Sequence, residues 1–274
     1  MQDLSSIKIL KEILAKYNTK PSKGMGQNFL VNKLALEKII KSADLKSDDT
    51  VLEVGPGIGT LTIALASAVK KVFSIEKDRH MCQILKETLK NYRNVEIING
   101  DVLKTTIELP KPYKLVANIP YYLTSPLIRK FLENSPNNKQ PEEIILMVQK
   151  EVAQRICSIP PNMSLLAVSV QFYATAKIIS YVKKENFWPK PKVDSAIIKI
   201  TPHKKAPQTS NELFFKIVKA GFSQPRKQLG NNLSKMLKID KDTILKILLL
   251  SDIEPKRRAE TLSINDWVNL TNSF

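Results

Sequence analysis

Cysteine and histidine are almost absent from these 274 residues, with two of each. Cys82 and Cys157 stand alone in the chain, as do His80 and His203. The sequence therefore offers neither a disulfide framework nor a Cys- or His-built metal site. Isolated thiols fit a reduced, cytoplasmic compartment. Also missing is any stretch approaching the roughly 18 consecutive apolar residues that a membrane span needs. The N-terminal segment MQDLSSIKILKEILAKYN is amphipathic and lacks the apolar core of a secretory signal. No internal repeat or low-complexity tract is visible. Acidic side chains are outnumbered: 26 Asp+Glu face 43 Lys+Arg, a formal charge of +17. A field of that sign captures polyanions, and nucleic acid is the first candidate partner. A chain of this length can bury a sizeable core and hold one large domain plus a smaller one.

What is present is concentrated at residues 51–62, VLEVGPGIGTLT. A short β-branched run (Val51, Leu52, Val54) breaks into Gly55-Pro56-Gly57-Ile58-Gly59 and then into a helical pattern at 60–69. Strand, glycine turn and helix start form a cradle for a nucleotide-like ligand, because the backbone approaches closely and the helix N-terminus offers free N–H groups. The third glycine comes one residue early for the G-x-G-x-x-G dinucleotide fingerprint, and Glu53 sits two residues before the first. This spacing argues against a dehydrogenase. It resembles the first motif of S-adenosylmethionine-dependent methyltransferases.

Strand and helix patterns alternate after that turn. Residues 71–76, 95–99, 113–117 and 143–148 read as strands, with helices at 79–90 and 125–132 and Asp78 as an N-cap. Such alternation predicts an α/β fold built on a parallel sheet with helices on both faces. A helix at 164–174 and a hairpin-like strand pair at 177–182 and 195–200 follow. The polar stretch 201–210 (TPHKKAPQTS) reads as a linker, and beyond it only helical patterns remain, at 212–221, 228–237, 242–250 and 264–270. The expected division is a domain at 1–203, its first 24 residues a helical extension, and a helical domain at 204–274.

Three strand ends carry candidate chemistry. In an open parallel sheet, ligands bind beyond the carboxyl ends of the strands. Glu76 ends the second strand, placed to accept both hydroxyls of a ribose. Asp101 follows the third and can accept from the exocyclic amine of an adenine. Asn118-Ile119-Pro120-Tyr121 closes the fourth. An exocyclic adenine amine is a poor nucleophile, its lone pair delocalised into the ring. Acceptance of its two N–H groups by the Asn118 side-chain oxygen and the Ile119 carbonyl favours a more tetrahedral nitrogen. Pro120 stiffens the turn, and Tyr121 offers a stacking surface worth roughly 1–3 kcal/mol per base. Each of these residues also has a plain structural use, as an ion pair, a turn cap or a strand end.

With Gly26-Gln27-Asn28-Phe29-Leu30, residues 187–195 (FWPKPKVDS), 149–156 (QKEVAQRI) and 258–263 (RAETLS), these motifs resemble the ribosomal RNA adenine N6-dimethyltransferase family. Within it, they look most like the members acting on two adjacent adenosines near the 3′ end of small-subunit rRNA. The resemblance runs from about Lys20 to the C-terminus. It implies a Rossmann-like class I methyltransferase domain with a small all-helical C-terminal domain contacting RNA. It implies S-adenosyl-L-methionine as methyl donor, no metal, a monomer, and small-subunit rRNA within a partly assembled subunit as partner. Carried over to this chain, Asn28, Leu30, Gly55, Gly57, Glu76, Asp101 and Asn118 contact the donor, and Gln27 holds the N-terminal segment over the site. Tyr121 and Phe187 sandwich the extruded adenine and, with Asn118, make up the catalytic group. The prolines and lysines beside Phe187 and Trp188 suggest a surface loop there. One departure stands out at 222–233 (FSQPRKQLGNNL), where Pro225 and Gly230 occupy places that are often basic in the family, which puts RNA contacts at those two places in doubt. Two other readings stay open: a large-subunit rRNA adenine methyltransferase of the macrolide-resistance kind, and a non-catalytic assembly factor on the same fold.

Overall fold

The computed structural model describes residues 3–133, 140–205 and 207–274. Ala206, inside the expected linker, and the first two residues of the N-terminal extension lie outside the described residues. The chain divides into two compact units, the first formed by Met1–Ala153 with Lys177–Pro202, the second by Gln154–Ala176 with His203–Phe274. The second break lies one residue from the expected boundary. The segment Gln154–Ala176, which sequence order assigns to the first domain, groups instead with the C-terminal helices. The reason is apolar packing: Met163, Ala167, Val168 and Phe172 are buried in the same cluster as Phe214 and Trp267.

In chain order the strands are β1 (Phe29–Leu30), β2 (Thr50–Val54), β3 (Lys71–Glu76), β4 (Val95–Asn99), β5 (Lys114–Asn118), β6 (Glu143–Gln149), β7 (Ala174–Val182), β8 (Phe187–Trp188) and β9 (Ser195–Pro202). Seven of them form one sheet in the order β4-β3-β2-β5-β6-β9-β7, while β1 and β8 pair separately. Pairings from β4 through β6 are parallel; β9 runs antiparallel to β6, with Gln149 opposite Ser195. The sheet is thus mixed rather than wholly parallel. All residues of β2 are buried, as expected of a central strand covered on both faces. The chain leaves β2 toward β3 and β4, then returns to place β5 on the other side of β2. That reversal between β2 and β5 opens the crevice at which open α/β sheets bind ligands.

Helices of the first unit are α1 (Ile7–Lys16), α2 (Lys33–Ser42), α3 (Thr60–Ala66), α4 (Arg79–Thr88) and α5 (Thr124–Leu132); α6 (Lys150–Ile156) straddles the division. Asp78 caps α4, accepting from the His80 N–H at 2.9 Å. The amphipathic α1 buries Leu10, Ile13 and Leu14 against Phe29, Ile58 and Met81, which ties the N-terminal segment to the glycine turn. The second unit holds α7 (Leu165–Gln171), α8 (Asn211–Gly221), α9 (Leu229–Leu237), α10 (Lys241–Leu250) and α11 (Ile264–Asn272). Its core is aromatic: Phe172 and Phe214 lie 4.1 Å apart between ring centroids, and Phe222 stacks on Trp267. A reciprocal Ser263–Asp266 capping box starts α11. No helix among the described residues is long and apolar enough to cross a membrane.

Candidate active site

One open cleft of about 1230 Å³, counted out to its mouth, gathers the motif residues of the first unit. Its walls include Gln27, Asn28, Leu30, Gly55, Gly57, Glu76, Asp101, Asn118, Tyr121 and Phe187, so every residue expected at the site reaches it. The geometry follows from the sheet. Parallel register sets Glu53 beside Ser74 and places the ends of β2, β3 and β5 at one edge. The glycine turn leaves β2 there with φ of +68° at Gly55, +60° at Gly57 and +94° at Gly59. Gly57 admits no other residue, because a Cβ would stand 2.9 Å from the Phe29 ring on a backbone that side chains rarely adopt.

Glu76 is 7% exposed and braces that turn. Its Oε2 accepts from the Gly57 N–H at 3.2 Å and its Oε1 from the Asp78 N–H at 2.9 Å. Burial raises its pKa above the ordinary carboxyl value, against the pull of those two N–H groups. Each oxygen keeps a free lone pair for a ribose hydroxyl. Asp101 is the opposite case. Lys77 Nζ lies 3.0 Å from its Oδ2 and the Leu103 N–H donates to Oδ1 at 3.0 Å, and the lysine holds the carboxyl below its usual value. Asp101 thus caps the turn and lines the cleft at once. Gln27 is more committed: its Oε1 accepts from the Ser22 N–H at 2.9 Å and its Nε2 donates to Asp78 Oδ2 at 3.1 Å. One end of this amide braces the N-terminal segment internally and the other joins that segment to the cap of α4. Asn28 donates to the Gly26 carbonyl at 3.1 Å.

Asn118 ends β5 opposite Met147, and among the described residues its side chain makes no hydrogen bond. Ile119 is buried, and the following 3-10 turn at Tyr121–Leu123 presents Tyr121 half-buried, its hydroxyl 2.7 Å from Ser195 Oγ. Burial raises the phenol's pKa. Phe187 corrects the surface-loop expectation. It is 3% exposed, pairs with Leu30 through the β1–β8 ladder, and packs in the cluster of Val116, Met147 and Ile197. Its ring still lines the cleft, so packing and site are served together. Four further cleft residues, Glu53, Val102, Leu103 and Tyr122, do not stand out in the sequence as site members. For Val102 and Leu103 the only signal is their place directly after Asp101.

Glu53 is the least ordinary group of the cleft. It is 1% exposed; its Oε2 accepts from Ser74 Oγ at 2.7 Å, and its Oε1 has no hydrogen-bond partner among the described residues. Desolvation pushes this carboxyl up to about 7, from 4.5. A raised acid in the native state means that the folded chain binds the proton more tightly than the unfolded one. Glu53 thus favours folding at low pH, and that contribution declines as pH rises from about 4.5 to about 7. The slope is expected to vanish in Glu53→Gln, a change on the order of 3 kcal/mol across that window in urea unfolding of the ligand-free chain. Parallel pH profiles for the two chains contradict a buried neutral Glu53.

In the second unit, residues 223–228 are all exposed, so Arg226 and Lys227 are open to solvent. Pro225 lies beyond the end of α8 at Gly221, as its effect on the preceding residue requires. Gly230 is buried in α9, where a Cβ would touch Leu248 at 3.4 Å. Among the described residues no group of three or more His, Cys, Asp or Glu is arranged to hold a metal ion.

The cleft's chemistry has counterparts in known proteins. A family model described as ribosomal RNA adenine dimethylase matches residues 6–273. The ribosomal RNA small subunit methyltransferase A of Clostridioides difficile (strain 630) is 42% identical, over 99% of this chain and 97% of that protein. Among solved structures, a dimethyladenosine transferase from Plasmodium falciparum superposes with a TM-score of 0.76 at 32% identity, covering 87% of this chain and 94% of that one. The 23S rRNA methyltransferase ErmE superposes with a TM-score of 0.74 at 27% identity, covering 90% of this chain and 99% of that one.

Proposed function

The chain belongs to the ribosomal RNA adenine dimethylase family and is an S-adenosylmethionine-dependent rRNA adenine methyltransferase; we propose that it dimethylates N6 of two adjacent adenosines near the 3′ end of small-subunit rRNA. The observation that carries this reading is the meeting of the glycine turn, Glu76 and the Asn118–Tyr121 turn in one cleft at the sheet's reversal. The small-subunit assignment is favoured over the large-subunit one by 42% identity to a small-subunit enzyme against 27% to ErmE. An unaltered Asn118, Tyr121 and Glu76 speak against a purely non-catalytic factor.

The residues fit a nucleoside-bearing donor. The glycine turn lines the cleft, and the buried acid that braces it has lone pairs to spare. Glu76 would hold the ribose, Asp101 with Val102 and Leu103 the adenine, and the glycine turn the amino-acid end. When bound, the donor supplies a methyl on a sulfonium, so good a leaving group that displacement needs no base. What remains for the protein is placement. Asn118 Oδ1 accepts one N–H of the target amine and the Ile119 carbonyl accepts the other, which localises the nitrogen lone pair. Tyr121 and Phe187 hold the base flat, and most of the acceleration comes from this orientation. Extruding a base costs a few kcal/mol, less at a loop, and stacking in the slot offsets it.

In this reading the substrate is rRNA within a partly assembled small subunit in the cytoplasm, met by a monomer whose charge of +17 favours the encounter. The test is transfer from labelled S-adenosylmethionine to small subunits lacking the modification, read by nucleoside mass spectrometry. N6,N6-dimethyladenosine at two adjacent positions is the expected product. Label in large-subunit RNA overturns the substrate assignment. Tight subunit binding without label makes the chain an assembly factor.

A further inference from the structure

Two consecutive residues outside the donor cradle hold both aromatic walls of the base slot. Ser195 opens β9 and is fully buried. Its Oγ stands 2.7 Å from the Tyr121 hydroxyl. Asp194, one residue earlier, accepts at Oδ1 from the Lys184 N–H at 3.0 Å, while its own carbonyl accepts from the Lys150 N–H at 2.9 Å. The Lys184–Asp194 bond closes the segment 184–194, and that segment carries Phe187. On its other side Phe187 is registered against Leu30. The two rings come from positions far apart in sequence, yet these few hydrogen bonds link them through two consecutive residues.

Stacking on a base needs no hydroxyl, since a phenylalanine ring stacks as well. The hydroxyl of Tyr121 must therefore do something else, and the structure shows what. Tyr121 sits on a short 3-10 turn, and its ring is governed by two torsions. Anchoring the far end of the ring to a buried strand fixes both. We propose that Ser195 is a positioning residue: its hydroxyl anchors the Tyr121 ring in the cleft that Phe187 also lines, so that the ring is oriented before the RNA arrives. The inference rests on the adenine-methyltransferase reading and adds what orients the Tyr121 ring.

A double-mutant cycle of Ser195→Ala and Tyr121→Phe tests it on unmodified small subunits. Each single change is expected to lower kcat/KM for the RNA by about tenfold, because the ring loses its anchor. The double variant is expected to be no worse than either single, since both remove one interaction. Donor affinity by calorimetry stays at the parental value, while the melting temperature falls by a few degrees because one buried hydrogen bond is lost. RNA carrying 2-aminopurine at a target position supplies a second readout: its fluorescence, quenched by stacking in the parent chain, rises in Ser195→Ala. Losses that multiply, a parallel fall in donor affinity, or parental activity and quenching in Ser195→Ala overturn the positioning role. Two failures are told apart by the parent chain. No transfer by it refutes the activity reading and this inference together, whereas normal transfer by both parent and Ser195→Ala refutes the positioning role alone.

Discussion

Asn118→Ala is expected to lower the rate of methyl transfer by about 10²–10³-fold, the cost of removing one preorganised hydrogen-bonding group from a reacting centre. The side chain ends β5 at the sheet's reversal, and among the described residues it makes no hydrogen bond of its own. Its oxygen is thus available to the substrate rather than committed to the fold. RNA affinity should be nearly unchanged, because stacking on Tyr121 and phosphate contacts supply most of the binding. The melting temperature should also hold, for the same lack of a structural partner. Gel-shift affinity and single-turnover transfer measured on one preparation decide the matter. If binding collapses together with transfer, Asn118 is a folding residue and the proposed chemistry is wrong.

Glu76→Ala is expected to weaken S-adenosylmethionine binding by about 100-fold or more, as two charged hydrogen bonds at roughly 1.5–3 kcal/mol each are lost. The effect has two sources. The ribose loses its acceptor, and the N–H groups of Gly57 and Asp78 lose theirs, so the cradle itself loosens. Glu76→Gln separates the two, since an amide oxygen can satisfy one N–H but carries no charge. An intermediate affinity for Glu76→Gln is the expected calorimetric result. Unchanged affinity in Glu76→Ala removes this residue from the site. Because burial raises its pKa, donor affinity should also decline at acidic pH as the carboxyl takes up a proton, and the decline should be missing in Glu76→Gln.

Much of the frame is legible in the sequence, and the reasons are local. The strands β2 to β6 read within a residue of their bounds because each is a compact apolar run closed by a polar or glycine turn. Helices α8 to α11 read equally well from their periodicity. The β1–β8 ladder does not read at all. Two residues on each side carry no period, and their pairing joins Phe29 to Trp188 across most of the chain. The burial of Phe187 was hidden for the same reason: its prolines and lysines are neighbours in sequence, while its packing partners are not. The assignment of Gln154–Ala176 to the second unit likewise depends on where its apolar face finds partners.

By itself the sequence determined which chemistries are present: a glycine turn with a leading acid, acids on successive strand ends, an Asn-Ile-Pro-Tyr turn and a surplus of positive charge. These depend on residue type and short spacing, which survive without coordinates. Only the tertiary structure decided how those groups behave. It put Lys77 within 3.0 Å of Asp101 and so lowered that acid's pKa. It enclosed Glu53 and Glu76, raised both, and left one Glu53 oxygen without a hydrogen-bond partner among the described residues. It gave Tyr121 its anchor on Ser195, the last residue of the 187–195 motif, whose partner the motif does not reveal. Protonation and orientation depend on distance, burial and dielectric, and those exist only once remote parts of the chain have packed together.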